Sequence, residues 1–402
     1  MSNNLNETPS ANRLHIGFFG KRNSGKSSLI NAFTGQGVSI VSDVAGTTTD
    51  PVYKPMELNG IGACVLIDTA GFDDEGELGK IRVEKTRLAA EKTDVAVIVF
   101  SDMNIEQELF WYNSFKSKKT PVIAVINKAD IIDDKDALME LIKKETKQTP
   151  LVVSAKTGEN VKKLKELAVR LAPSDFGAVS ITEGLCGDGD SVLLVMPQDI
   201  QAPTGRLILP QVQTIRDLLD KKCLVTCVTT DRLQKALDSF KQPPKLIITD
   251  SQVFKTVWDI KPKESMLTSF SVLFAAYKGD LPYYIEGAKA IDSLSENSRV
   301  LIAECCTHAP MDEDIGRVKL PRMLRQRFGQ GLSVDVVGGT DYPEDLSPYD
   351  LVIQCGACMF NRKYVLSRID RAKNQKIPMT NYGVAIAHLC GILDKIDTPC
   401  RR

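Results

Sequence analysis

The 402-residue chain lacks a net charge: 51 Lys and Arg stand against 51 Asp and Glu. The balance is also local, with 23 basic and 23 acidic residues in 1–172 and 28 of each beyond. A protein whose main partner is nucleic acid carries a basic surplus on some segment, so the balance argues against such a partner. Also missing is any apolar run near the roughly 20 residues that span a bilayer. The opening MSNNLNETPSANRLH is polar and has no apolar stretch of the kind a secretory leader needs. These absences predict a cytoplasmic chain that engages no membrane and keeps its thiols reduced. The hydrophobic (43%) and charged (25%) fractions are those of an ordinary globular protein. The length predicts two or three domains, each with its own core.

Cysteine, by contrast, is plentiful, with ten residues. In a reducing compartment, clustered cysteines favour metal or redox chemistry over disulfides. One split constellation stands out: Cys306-Thr307-His308, then 46 residues, then Cys355-Gly356-Ala357-Cys358. Both groups close apolar, strand-like runs, RVLIAEC and YDLVIQC, and the C-terminal edge of a parallel sheet is where such residues can meet. A Cys₃His set can hold a closed zinc site. The same thiols can hold three corners of an iron–sulfur cluster and leave the fourth iron weakly ligated. A host domain of this size needs no metal staple, which favours a functional cluster. The bland alternative is a set of buried core thiols. The segment CMFNRKYVLSRIDRAK is expected to open a helix with Cys358 near its N-terminus, a position that lowers a thiol's pKa. Cys305 could stand in for Cys306 in a variant, and Asp312, Glu313 and Asp314 read as solvated loop residues. Cys223 and Cys227, in the run CLVTCV, read as packing, and Gly187-Asp188-Gly189-Asp190 as a turn.

The first third carries a different chemistry. LHIGFFG reads as a buried strand running into Gly20-Lys21-Arg22-Asn23-Ser24-Gly25-Lys26-Ser27-Ser28, and SSLINAFTG as the helix that follows. This is the phosphate-binding GxxxxGK[ST] loop in its strand–loop–helix setting. Loop amides and the helix N-terminus cradle phosphates, Lys26 reaches the β- and γ-phosphates, and Ser27 places a hydroxyl on Mg²⁺. Asp68-Thr69-Ala70-Gly71 follows the strand VLI, with Asp68 expected in the Mg²⁺ shell and the Gly71 amide at the γ-phosphate. Asn127-Lys128-Ala129-Asp130 follows VIAVI, where the carboxylate can accept from guanine N1 and N2, donors that adenine lacks. Ser154-Ala155-Lys156 is expected to contact the guanine oxygen. Four motifs in order, each at a strand's C-terminal end, predict a GTP- and GDP-binding domain. The acidic, glycine-punctuated Asp73-Asp74-Glu75 stretch reads as the start of a mobile switch segment.

This domain resembles the TrmE–Era branch of the small GTPases. The resemblance assigns Ala45-Gly46-Thr47-Thr48-Thr49-Asp50-Pro51 to switch I and makes Thr48 a Mg²⁺ ligand. Phe72 stands where Ras-like proteins carry a water-orienting glutamine, so intrinsic hydrolysis is expected to be slow. Asn23 matches the residue that helps hold K⁺ in cation-dependent relatives; the other reading is a residue suited to the turn.

The helix VKKLKELAVRLAP ends at Pro173, and a polar, glycine-rich stretch follows, which places a boundary there. Strand-like SVLLVMP, CLVTCVT and KLIIT then alternate with helix-like LPQVQTIRDLLDKK and RLQKALDSFK. This second α/β unit has no nucleotide loop and reads as an assembly interface, hence a homodimer. From Pro262 the pattern becomes helical (SMLTSFSVLFAAYKG) before the cysteine strands. The expectation is an α/β chain of three domains: a P-loop GTPase domain, 1–172, and two smaller parallel-sheet α/β domains, 173–262 and 263–402.

CxH, a gap of about four dozen residues and CxxC behind a TrmE–Era-type domain resemble the HydF family of GTPase scaffolds for FeFe-hydrogenase maturation. The resemblance spans essentially the whole chain. It implies a 4Fe–4S cluster on Cys306, Cys355 and Cys358, and dimerisation through the middle domain. It also implies a diiron precursor, assembled with two radical-SAM partners and delivered to the apo-hydrogenase. The family often writes His before CxxC, whereas Gln354 stands here, and glutamine is a poor iron ligand. His308 is left either as a ligand or as a hydrogen-bond partner of one. Outside this resemblance, the competing functions are a zinc-stabilised GTPase acting on RNA or the ribosome, and a redox-regulated GTPase.

Overall fold

The computed structural model describes residues 8–35, 50–72, 76–174, 176–177, 179–197, 207–305 and 314–399. They fall into two compact units, 1–178 and 179–402. Among the described residues no helix is long and apolar enough to cross a membrane.

In the first unit the strands are β1 (Leu14–Phe19), β2 (Val52–Leu58), β3 (Gly62–Asp68), β4 (Val95–Phe100), β5 (Val122–Ile126) and β6 (Leu151–Val152). The helices are α1 (Lys26–Thr34), α2 (Gly76–Glu91), α3 (Glu106–Ser117), α4 (Lys135–Thr146) and α5 (Val161–Arg170). Strand order is β2-β3-β1-β4-β5-β6, parallel except for the β2–β3 pair. Every residue of β1, β4 and β5 is buried, as strands covered on both faces must be, and they accordingly read as continuous apolar runs. β2 has a mostly exposed, irregular pattern, so no period marks it in the sequence; its Pro55 is tolerated because the strand is an edge. From β1 the chain steps to β3 on one side and β4 on the other. That reversal opens a crevice at the C-terminal end of β1, where the phosphate loop lies.

The second unit holds two four-stranded parallel sheets. In the first, β7 (Ser191–Val195), β8 (Leu224–Val228), β9 (Leu246–Thr249) and β10 (Met266–Ser269) lie in the order β10-β9-β7-β8. Their connections are α6 (Leu209–Asp220), α7 (Leu233–Ser239) and α8 (Phe254–Ile260). The run expected to be helical from Pro262 thus begins as a strand. MLTS pairs with LIIT of β9, and only then does Ser269, accepting from the Val272 amide, cap α9 (Phe270–Lys278). This sheet therefore continues past position 262.

After α10 (Leu281–Ala288) come β11 (Arg299–Ala303), α11 (Leu320–Phe328), β12 (Ser333–Val337), β13 (Leu351–Gln354), α12 (Arg362–Asn374), β14 (Met379–Asn381) and α13 (Tyr382–Leu389). Strand order is β12-β11-β13-β14. One apolar core runs through both halves of this unit, from Leu193, Ile247 and Phe254 to Ile302, Ile353 and Ala385. Helix α13 lies so close to α9 that a Cβ on Gly383 would sit 2.5 Å from that of Ser271.

Candidate functional sites

At the nucleotide site the chain turns through two left-handed residues, Asn23 (φ 59°) and Gly25 (φ 85°), before α1 begins. A Cβ on Gly25 would stand 2.3 Å from Asn127 Nδ2, so glycine is required there. Lys26 Nζ donates to the carbonyls of Gly20 (2.9 Å) and Lys21 (2.7 Å), which holds the cation inside the loop. Ser27 and Asp68 meet: the hydroxyl hydrogen-bonds the carboxylate. Asp68 is buried, and its Oδ1 has no hydrogen-bond partner. Burial pushes its pKa up, against the pull of the Ser27 hydroxyl, Lys26 and Lys54. A buried carboxylate oxygen without a donor, next to a serine hydroxyl, fits a divalent cation.

Asn127 ties two motifs together. Its Nδ2 donates to the Ser24 carbonyl (3.0 Å) and its Oδ1 accepts from the Ala155 amide (3.2 Å). Ser154 Oγ donates to Asp130 at 2.6 Å, and this hydroxyl, ahead of Lys156 and Lys128, holds the aspartate below the usual carboxylate range. Lys128 takes a left-handed turn (φ 62°) between the two. Phe72 turns inward, stacked on Trp111 with ring centres 5.9 Å apart. Sequence reasoning did not single out the salt bridge of Lys21 with Asp102 at 2.9 Å, which ties the phosphate loop to the β4–α3 connection. Thr48 and the rest of 45–49, and Asp73-Asp74-Glu75, lie outside the described residues.

The cysteine site is built on a second reversal of strand order. From β11 the chain goes to β12 on one side and β13 on the other, so the crevice opens at the ends of β11 and β13. Ala303 pairs with Gln354, which brings Cys305 against Cys355. The Cys305 amide donates to Cys355 Sγ at 3.1 Å and the Ala357 amide at 3.4 Å. The Cys305 thiol, followed by these amides, lowers the Cys355 pKa. Cys305 itself is buried and its thiol held protonated, so it serves Cys355 as a donor. A sulfur that is thiolate-prone and receives backbone N–H groups suits an anionic, sulfur-ligated cluster.

Cys358 does not open a helix as expected. Helix α12 starts at Arg362 behind an Asn361 cap that accepts from the Tyr364 amide, and Cys358 lies in the preceding turn. Gln354 is buried and donates to Tyr284 Oη at 3.4 Å. Asp314 is not a solvated loop residue either: it is buried and caps the π-helical turn Ile315–Lys319 through the Arg317 amide. Cys306, His308, Asp312 and Glu313 lie outside the described residues, and among those described no three His, Cys, Asp or Glu side chains converge as a ligand set. Sequence reasoning missed two cations. Arg368 is buried among Tyr342, Phe360 and Tyr364 with its Nη1 3.8 Å from Cys305 Sγ. Lys278 lies beneath the cysteine loop, its pKa pulled down to about 8 by burial. A single Lys or Arg in a helix carries no sequence signal for such a role.

Comparison with known proteins covers all three segments. Residues 15–128 match the family described as 50S ribosome-binding GTPase. GTPase Der of Wolinella succinogenes is 36% identical over 184 residues, covering 42% of this chain and 37% of that protein. The tRNA modification GTPase MnmE of Treponema denticola is 32% identical over 170 residues, 40% of this chain and 35% of that one. The chain thus spans less than half the length of these curated relatives. A solved structure of Era in complex with MgGDPNP and a 16S ribosomal RNA fragment is 29% identical, covering 40% of this chain and 58% of that one at a TM-score of 0.35. The N-terminal unit is a GTPase domain, of the kind that takes GTP or GDP with Mg²⁺. Residues 181–279 match the hydrogen maturase F dimerization domain and 282–398 the hydrogen maturase F tetramerization domain. These two models together span more than half of the chain, and the chain belongs to the hydrogen maturase F (HydF) family.

Proposed function

We propose that the protein is a GTP-hydrolysing scaffold that holds a 4Fe–4S cluster on Cys306, Cys355 and Cys358 and assembles or delivers the diiron precursor of the FeFe-hydrogenase active site. The observation that carries this reading is Cys355 Sγ at the strand-order reversal, receiving two backbone amides and a thiol. When bound, the cluster supplies an iron with an exchangeable coordination position. The chain's own residues do the rest. The Cys305 thiol and two backbone amides favour the anionic form of Cys355, and Arg368 compensates charge behind Cys305. The Gln354 amide nitrogen is engaged with Tyr284, and glutamine is a poor iron ligand, so the fourth corner is left exchangeable.

In the GTPase domain, Lys26 is the donor for the β- and γ-phosphates, and Ser27, Thr48 and Asp68 are the Mg²⁺ ligands. The Gly71 amide serves the γ-phosphate, and Gly20, Ser24, Gly25 and Ser28 line the phosphates. Asn127, Lys128, Asp130, Ser154, Ala155 and Lys156 receive the guanine. Phe72, packed on Trp111, orients no water, so hydrolysis is slow, and K⁺ beside Asn23 supplies the missing positive charge. The dimerization and tetramerization modules support self-association. Two radical-SAM maturases and the apo-hydrogenase are the partners, and nucleic acid is not.

Anaerobic reconstitution with iron and sulfide, followed by metal analysis and EPR, tests the reading. About four irons per chain with a reducible cluster signal are expected. A colourless protein with one zinc per chain overturns it.

A further inference from the structure

Lys278 ends α9, the helix that grows directly out of β10. Its side chain leaves that sheet's layer and runs under the cysteine loop of the other sheet, where it is only 2% exposed. The ammonium donates to three carbonyls of the loop: Ala357 (3.2 Å), Cys358 (3.1 Å) and Phe360 (2.7 Å). Three carbonyl dipoles converging on one point repel one another unless a cation or several donors sit at the focus. Ala357 meanwhile holds a left-handed backbone (φ 52°), a conformation that is unfavourable for a non-glycine residue and persists only where its surroundings impose it. The loop is therefore shaped from below.

Peptide planarity turns this into a statement about the loop's other face. In a trans peptide the N–H points opposite to the C=O of the same unit. With the carbonyls of residues 357, 358 and 360 drawn toward Lys278, the amides of Cys358, Met359 and Asn361 are directed to the opposite side. The successive amides of Cys358 and Met359, facing one way just after the left-handed Ala357, favour an anion on that face, while the Phe360 amide turns back to the Ala357 carbonyl at 3.1 Å. We propose that Lys278 is the positioning residue of the cysteine loop: it gathers the carbonyls beneath the loop, and so turns the amides and the thiolates of Cys355 and Cys358 toward one anionic, sulfur-ligated cluster. This rests on the reading of the loop as the cluster site. It has a structural consequence of its own. The helix of the dimerization segment supplies the floor of a site whose cysteines belong to the tetramerization segment, so the site is incomplete without both.

The test compares wild type, K278M and K278R in the full chain. K278M keeps the length of the side chain and removes charge and donors; K278R keeps both. Circular dichroism first establishes that each variant is folded. After anaerobic reconstitution, iron loss to a chelator is expected to be about 10- to 100-fold faster in K278M, the range for removing an outer partner of a metal ligand, with an altered EPR signal. K278R is expected to stay close to wild type. Equal chelator rates and EPR signals in wild type and K278M overturn the proposal, as does equal loss in both variants, which would mark the position as packing alone. A wild-type protein that takes up no iron overturns the cluster reading instead. The positioning role is then judged in the metal-free protein by the alkylation rates of Cys355 and Cys358 with iodoacetamide, mapped by mass spectrometry. A changed rate in K278M that K278R restores supports it, and an unchanged rate overturns it.

Discussion

Asp130 is an exposed carboxylate whose pKa is lowered chiefly by one neighbour, the Ser154 hydroxyl at 2.6 Å. The two residues are 24 positions apart, each in a short motif at the end of its own strand. Because the folded-state pKa is depressed, the anion that would pair with guanine N1 and N2 is present above that pKa and lost as pH falls through it. Removing the hydroxyl removes the largest lowering cause. In S154A the acid loss of guanine-nucleotide affinity is therefore expected at a higher pH than in wild type, read from the binding of a fluorescent GDP analogue across an acid titration. Coincident curves would mean that Ser154 does not govern Asp130. Both residues are legible as motifs. Their coupling is not, since nothing in NKAD or SAK says which atom of one faces the other.

At the scale of the element, the phosphate loop is a backbone device, and its sequence is correspondingly readable. Gly25 combines a positive φ with a 2.3 Å approach to Asn127 Nδ2 for any Cβ. Gly25→Ala is expected to cost about 2 kcal/mol or more, from left-handed strain and the displaced Asn127 contacts, and to abolish nucleotide binding. Urea denaturation and nucleotide titration measure the two effects, and unchanged binding would show that the loop re-forms around a side chain. The buried strands β1 and β5 were readable for a related reason: burial on both faces demands continuous apolar runs. β2 and β10 were not. β2 is a mostly exposed edge. β10 merges into the apolar helix α9, and a continuous apolar run does not reveal which period it follows. The place of Cys358 before α12 was misjudged similarly, because the true cap is Asn361.

Across the second unit, the chain's end returns to its middle. Asp397 Oδ2 accepts from the Leu267 amide at 2.8 Å, and the Asp397 amide donates to the Leu267 carbonyl at 2.7 Å. The tail so covers β10, the edge of the first sheet in this unit, where bare backbone groups would otherwise be exposed. D397A leaves the amide of a fully buried residue without its acceptor, and a stability loss of about 1–3 kcal/mol is expected. Urea unfolding, together with hydrogen exchange at β10, measures it; unchanged protection at Leu267 would mean that the tail is dispensable. The same scale explains why two family segments, 181–279 and 282–398, share one apolar core.

Sequence by itself determined the nucleotide chemistry, the α/β class and the CxxC pair. In each case the requirement is local: glycines where the backbone must bend, apolar runs where strands are covered twice, thiols three positions apart. Tertiary structure alone decided what surrounds those thiols. Cys305 meets Cys355 across 50 residues, Arg368 reaches Cys305 across 63, and Lys278 reaches Phe360 across 82. Such contacts depend on strand order and helix packing, which set where distant side chains meet but leave no pattern in the local sequence.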